Sequence, residues 1–151
     1  MIKRKTPIKR TPLKRSAKKP TKSTKQPKAK LKPLSKLTEE AQRVFNKYIR
    51  TRDSEDGYFI CISCGKTLPV SEMQAGHYVP RKNSSGLRFN EYNVHGECAA
   101  SNLFDQFHLV GYRKNLINKI GQDMVNWLDD NCRLSKKWTR SELEDIINKY
   151  K

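Results

Sequence analysis

The sequence predicts an α+β fold class, a small mixed domain behind a disordered basic arm. Three observations lead there. Residues 1–37 hold fifteen of the 32 Lys and Arg, no Asp or Glu, and five of the seven prolines. Apolar residues recur at helical spacing at both ends of the remaining chain. Between those ends, short extended runs carry cysteines at metal-ligand spacing.

The arm cannot bury enough apolar surface to offset its ordering entropy, so residues 1–37 are expected to be disordered. Its prolines favour extended backbone. Its charge neutralises phosphates and releases counterions without reading sequence, which points to nucleic acid as a partner. A solubilising or ribosome-associated tail is the plainer alternative. Residues 38–151 hold 17 basic and 15 acidic residues and form a near-neutral domain. The hydrophobic fraction of 35% is below the roughly 45–50% of globular chains, a norm that also counts Gly, and the deficit lies in the arm. No apolar stretch follows the basic start, so no secretory signal is expected. No run reaches the ~18 apolar residues of a membrane helix, so no membrane partner is expected. Without a secretory context, Cys61, Cys64, Cys98 and Cys132 favour metal binding in a reducing cytosol over disulfides.

The first helix is expected from Thr38, a capping residue, with Glu39 and Glu40 at the positive end of the dipole. Ala41, Val44, Phe45, Tyr48 and Ile49 form its apolar stripe, and it should end near Asp53–Gly57. Tyr58–Ile60 reads as a short strand entering a cysteine knuckle, where Ser63 and Gly65 suit a tight turn. Leu68–Met73 is a weak second strand interrupted by Pro69, and Gln74–Val79 is extended. Residues 80–86 form a polar basic loop, and Leu87-Arg88-Phe89 returns to the domain. Asn93–Glu97 leads into a helix starting around Cys98. Two helices follow over Leu109–Ile120 and Gln122–Asn131, split by Gly121. Thr139 and Glu142 make a capping-box pattern for a last helix whose apolar face is Leu143, Ile146, Ile147 and Tyr150. Trp127, Leu128 and Trp138 are read as core of the C-terminal helices.

The chemistry concentrates in Cys61-x2-Cys64, Gly76-His77, Asn93-x4-Cys98 and Ser101-Asn102. Two cysteines on one turn can share an ion at about 2.3 Å, and Cys98 can add a third thiolate. Ser101 stands where a fourth ligand is expected. Zinc is then held by the three cysteines with water, His95 or Cys132, or it is bound weakly, or the thiols pack as small hydrophobes. Hydrolysis of a phosphodiester needs a base for water and a cation for the charge on phosphate. A neutral imidazole at His77 suits the first task, and a hard divalent ion on oxygen ligands suits the second. Asn93 could fix the backbone around His77, and Asn102 could offer its amide oxygen to that ion.

At these residues the chain resembles the HNH (His-Me finger, ββα-metal) endonucleases. The resemblance implies a small ββα-metal finger with flanking helices, a structural zinc and a catalytic Mg2+ or Mn2+. It implies His77 as general base, Asn93 as its orienting residue, and Asn102 as a ligand of the catalytic metal. A closer resemblance is to the NinG (Rap) recombination proteins of phage lambda. It rests on Ala75-Gly76-His77-Tyr78, Leu87-Arg88-Phe89-Asn90-Glu91, Asn93-Val94-His95, Tyr112-Arg113-x2-Leu116-Ile117-x2-Ile120-Gly121-Gln122 and Trp138-Thr139, and spans roughly Phe45–Lys151. It implies an enzyme acting on branched or recombining DNA in a bacterial cytoplasm, with a homodimer as the symmetric form for cutting a junction.

Three departures qualify the match. Ser101 replaces a zinc cysteine, Gly76 stands where many HNH enzymes carry an acidic ligand, and Leu103–His108 is more apolar than its counterpart. Glu91, Glu97 and Asp105 are candidates for the missing acid, and His95 for a metal or phosphate contact. Arg81, Lys82, Arg88, Arg113 and Lys114 are the candidate phosphate contacts, and Tyr78, Phe89 and Tyr92 the candidate stacking surfaces. The alternative function is a non-catalytic zinc-knuckle DNA-binding protein.

Overall fold

A computed structural model describes residues 31–151, and most of the basic arm lies outside those residues. The described part is one compact unit. Helix α1 spans Leu34–Arg52, four residues longer at its start than Thr38 would give. Pro33 takes the N-cap position, and the Thr38 hydroxyl donates to the Leu34 carbonyl (2.8 Å) from inside the helix. Leu37 is buried, and this explains why the helix reaches back into the expected arm.

A three-stranded antiparallel sheet follows, with strands β1 (Ser54–Glu55), β2 (Tyr58–Ile60) and β3 (Thr67–Pro69) in that order. Asp56 and Gly57 turn β1 into β2, with φ of 49° and 82°. That is the left-handed pair a two-residue hairpin needs, supplied by an Asp-Gly sequence. The strand read over Leu68–Met73 is instead β3, a 3-10 turn at Val70–Glu72, and the first residue of β4 (Met73–His77), because the chain turns after Pro69.

Strand β4 pairs antiparallel with β5 (Val94–Cys98), setting Gln74 opposite Glu97 and His77 opposite Val94. Every residue of β5 is buried. Helix α2 (Ala99–Phe104) follows directly, with Cys98 as its N-cap. Helices α3 (His108–Ile120), α4 (Gln122–Asp130) and α5 (Arg140–Tyr150) complete the fold. The capping box at Thr139 and Glu142 forms as expected.

Apolar burial falls into three groups. Leu37, Ala41, Phe45 and Ile49 of α1 meet Phe89, Val94 and Leu143, tying α1 to α5. Tyr112, Leu116, Val125 and Leu128 of α3 and α4 meet Ile62, Val79 and Leu87. Phe59, Cys61, Met73 and Cys98 form the third group beneath the knuckle. Leu128 is core as expected, while Trp127 is largely exposed because it sits on the outer face of α4. No described helix is long and apolar enough to cross a membrane.

Candidate functional site

The cysteine knuckle closes as a local turn. The Gly65 amide donates to the Cys61 carbonyl (2.8 Å), and the Cys61 amide to the Lys66 carbonyl (2.9 Å). Strand β5 brings Cys98 alongside, and the sulfurs of Cys61, Cys64 and Cys98 lie within 4.8 Å of one another. Four sulfur ligands at zinc distance stand about 3.8 Å apart in a tetrahedron, and Cys64 and Cys98 stand 4.0 Å apart. The Cys98 amide donates to Cys61 Sγ (3.3 Å) and the Ser101 amide to Cys98 Sγ (3.4 Å). Burial pushes both thiols up. At Cys98 the hydrogen bonds with Ser101, Cys61 and Cys64 together outweigh it and the pKa is lowered, while Cys61 stays raised. The cluster could bind a metal such as zinc.

Ser101 stands next to one of the three thiols. Its Oγ lies 3.3 Å from Cys98 Sγ, which puts a hydroxyl beside the cluster where the sequence spacing expected a ligand. Neither His95 nor Cys132 supplies a ligand instead. Cys132 packs against the α3–α4 core. His95 is buried with Nδ1 against Arg52 (3.0 Å) and Asp53 (3.6 Å), and Nε2 donates to the Tyr92 carbonyl (3.1 Å). Asp53 also accepts from the Gly96 amide (2.8 Å), so this cluster locks α1 to β5. Burial pushes the Asp53 carboxyl up, but His95, Arg52 and Gly96 together hold it far below the usual range.

At the His77 end of β4, an open cavity of about 560 Å³ is lined by His77, Arg81, Lys82, Arg88, Asn102 and His108. His77 ends β4, and its Nε2 donates to the Arg88 carbonyl (3.1 Å), leaving Nδ1 as the ring's basic atom. Burial lowers the His77 pKa to about 4; the Arg88 carbonyl opposes this, and the charges of Arg81 and Arg88 add to it. Asn93 does not touch the imidazole. It is fully buried, accepts from the Val79 amide (2.8 Å), and donates to the Val79 (3.0 Å) and Leu87 (3.2 Å) carbonyls. Its own carbonyl takes the Tyr78 amide (2.9 Å). Asn93 therefore clamps both ends of the loop that carries Arg81, Lys82 and, next to Leu87, the Arg88 carbonyl. Asn102 Nδ2 donates to Gln74 Oε1 (2.6 Å), which frees Oδ1 as the acceptor of the carboxamide.

The basic residues divide. Arg81, Lys82 and Arg88 border the cavity, and Arg88 is anchored by Gln42 (2.8 Å). Arg113 and Lys114 line a neighbouring cleft, and Arg113 is already paired with Asp129 and the Tyr78 hydroxyl. Of the expected stacking residues, Phe89 is core and Tyr78 is held by Asp129 (2.8 Å), while Tyr92 is exposed. Exposed aromatic surface lies instead at Phe104 and Phe107.

Among the three candidate acids, Glu91 is held by Tyr48 (2.9 Å), Tyr150 (2.7 Å) and Lys149 (3.0 Å) between α1 and α5. Asp105 accepts from the Phe107 amide (2.8 Å) in the α2–α3 turn. Glu97 does not line the cavity, but it touches a residue that does, His108. It is fully buried, bonded by the Ser63 hydroxyl, and its Oε1 meets His108 Nδ1 at 2.7 Å. Its carboxylate fills the space beside Gly76, where any Cβ would collide with it. His108 was not singled out in the sequence. Its only signal there was that the chain has three histidines and one stands six residues after Asn102.

The family described as "Bacteriophage Lambda NinG protein" matches residues 2–151. The chain belongs to the NinG family. Proteins named "Protein ninG" from Escherichia phage 933W and Enterobacteria phage VT2-Sa are each 40% identical to it over 120 residues, covering 80% of this chain and 57% of theirs. The "Protein ninG" of Escherichia phage lambda is 39% identical over 120 residues, 80% of this chain and 56% of its own. The chain thus spans a little over half the length of these NinG relatives. No solved structure matches it.

Proposed function

We propose that this NinG-family chain is a metal-dependent DNA endonuclease of the HNH type, acting on branched or recombining DNA. One observation carries the reading. A half-buried imidazole (His77), held at Nε2 by the Arg88 carbonyl, lines a cavity shared with a carboxamide (Asn102) and a rim of three cations.

The chain's own groups divide the work of hydrolysis. Arg81, Lys82 and Arg88 bind the scissile phosphate and its neighbours by charge-assisted hydrogen bonds. With Nε2 tied to the Arg88 carbonyl, His77 accepts the proton of the attacking water at Nδ1. Incoming phosphate offsets the charges of Arg81 and Arg88, which raises the basicity of His77 toward working pH. Asn93 keeps this edge aligned by fixing the loop on both sides of it. Asn102 Oδ1 would hold Mg2+ or Mn2+, which when bound supplies positive charge to the phosphate and leaving oxygen. Cys61, Cys64 and Cys98, with Ser101 at the fourth corner, would hold the structural zinc that fixes the start of α2 and hence Asn102.

The competing reading is a zinc-knuckle DNA-binding accessory protein, favoured by the glycine at position 76 in place of an acidic ligand. Cleavage of a labelled four-way junction and a matched duplex, each with Mg2+ and Mn2+, separates the two. Wild type is expected to cut. His77→Ala is expected to bind equally and lose about 10²–10⁴-fold in rate. Binding without cutting by wild type under both metals would establish the accessory role.

A further inference from the structure

His108 lines the cavity, Glu97 is buried behind it, and neither has a part in the mechanism above. Glu97 is the penultimate residue of a buried strand, and His108 opens helix α3. Their bond of 2.7 Å uses His108 Nδ1, so Nε2 is the ring atom left over, on a side chain that lines the cavity with Asn102. The carboxylate is unusually confined. It is fully buried, one oxygen serves both Ser63 and His108, and Oε2 has no hydrogen-bond partner among the described residues. A buried carboxylate oxygen without a partner is costly unless positive charge stands close by.

We propose that Glu97 and His108 form a cation-holding arm: the carboxylate fixes the imidazole through Nδ1, and Nε2 serves as the nitrogen ligand of the divalent ion at Asn102. A carboxylate behind a histidine, with metal on the far ring nitrogen, is the usual way proteins orient such ligands and strengthen their basicity. The arrangement also explains Gly76. The carboxylate takes up the space that a side chain at 76 would need, so the ion is reached from β5 and α3 and not from the residue before His77. An imidazole beside a carboxamide shifts the site from the all-oxygen set preferred by Mg2+ toward Mn2+ and later transition metals. The inference rests on the reading of this cavity as a metal-dependent site.

The test is Mn2+ titration of the full-length, zinc-loaded protein, with free Mn2+ followed by electron paramagnetic resonance. Wild type is expected to bind one ion in addition to zinc. His108→Asn keeps a donor for Glu97 while removing the ligand nitrogen, and should weaken binding by roughly 10–100-fold, as should Glu97→Gln. Melting curves and zinc content show that each variant is folded; if Glu97→Gln is not, His108→Asn alone decides. Unchanged affinity in folded His108→Asn, or no saturable Mn2+ binding by wild type, overturns the proposal. DNA cleavage assayed alongside keeps the two readings apart. Cutting that is indifferent to His108→Asn leaves the nuclease and makes the pair a structural strut. His108-dependent Mn2+ binding without cutting leaves the metal arm and removes the nuclease.

Discussion

At His77 the charge state follows from packing. An ordinary imidazole titrates near 6.5, whereas burial brings this one to about 4. Between those values the unfolded chain binds more protons than the folded one. Stability contributed here is therefore complete above about pH 6.5 and is lost as pH falls toward about 4. On the proposed nuclease reading, the same shift would set the acid limb of activity in the free protein. The kcat/KM for DNA cleavage is expected to stay nearly flat from pH 7.5 to 5.5, where an ordinary imidazole would lose about tenfold. A limb centred near 6.5 would show that His77 is not the group that titrates. His77, Asn102 and the three cavity cations were legible in the sequence because spacing and residue type carry them. The local role of Asn93 was only half legible. It fixes the loop through Val79 and Leu87, contacts that no sequence spacing specifies.

At the scale of the elements, the knuckle is where a single residue decides strength. Ser101 stands beside the three cysteines that could hold a metal, and a neutral hydroxyl is a weaker zinc ligand than a thiolate. Ser101→Cys is expected to raise the melting temperature and bring purified protein to one zinc per chain, measured by calorimetry and elemental analysis. No change in either would mean that zinc is not held there. Helices α3, α4 and α5 were readable from apolar periodicity, Gly121 and the capping box. Strand β1 was missed although Asp56-Gly57 signals a hairpin, since two paired residues leave no alternating pattern to find. The start of α1 was misplaced because Thr38 looks like a cap, whereas Pro33 and the burial of Leu37 set the true boundary.

For the whole molecule, charge and site are separable. Residues 38–151 are near neutral, and the arm carries the excess of positive charge. Removing residues 1–30 is therefore expected to weaken DNA binding at low salt and flatten the dependence of log affinity on log salt, while the cleavage rate at saturating DNA is retained. Equilibrium titrations from about 50 to 200 mM salt measure the slope; an unchanged slope would show that phosphate contacts reside in the domain. The cavity itself draws on β4, the loop after it, α2 and the first two residues of α3, with β5 fixing His108 from behind.

The sequence by itself determined the NinG-like blocks, the basic arm, the three cysteines and the histidine–asparagine set, because each is local in residue type or spacing. Only the tertiary structure decided which acid stands behind a cavity residue. Glu91, Glu97 and Asp105 are equivalent on paper, but strand pairing buries Glu97 beside Gly76 and the packing of α3 delivers His108 to it. Tertiary packing likewise turned His95 inward to Asp53 and separated Arg113 from the cavity. These outcomes depend on which surfaces the core brings together, a long-range consequence of burial that no single segment encodes.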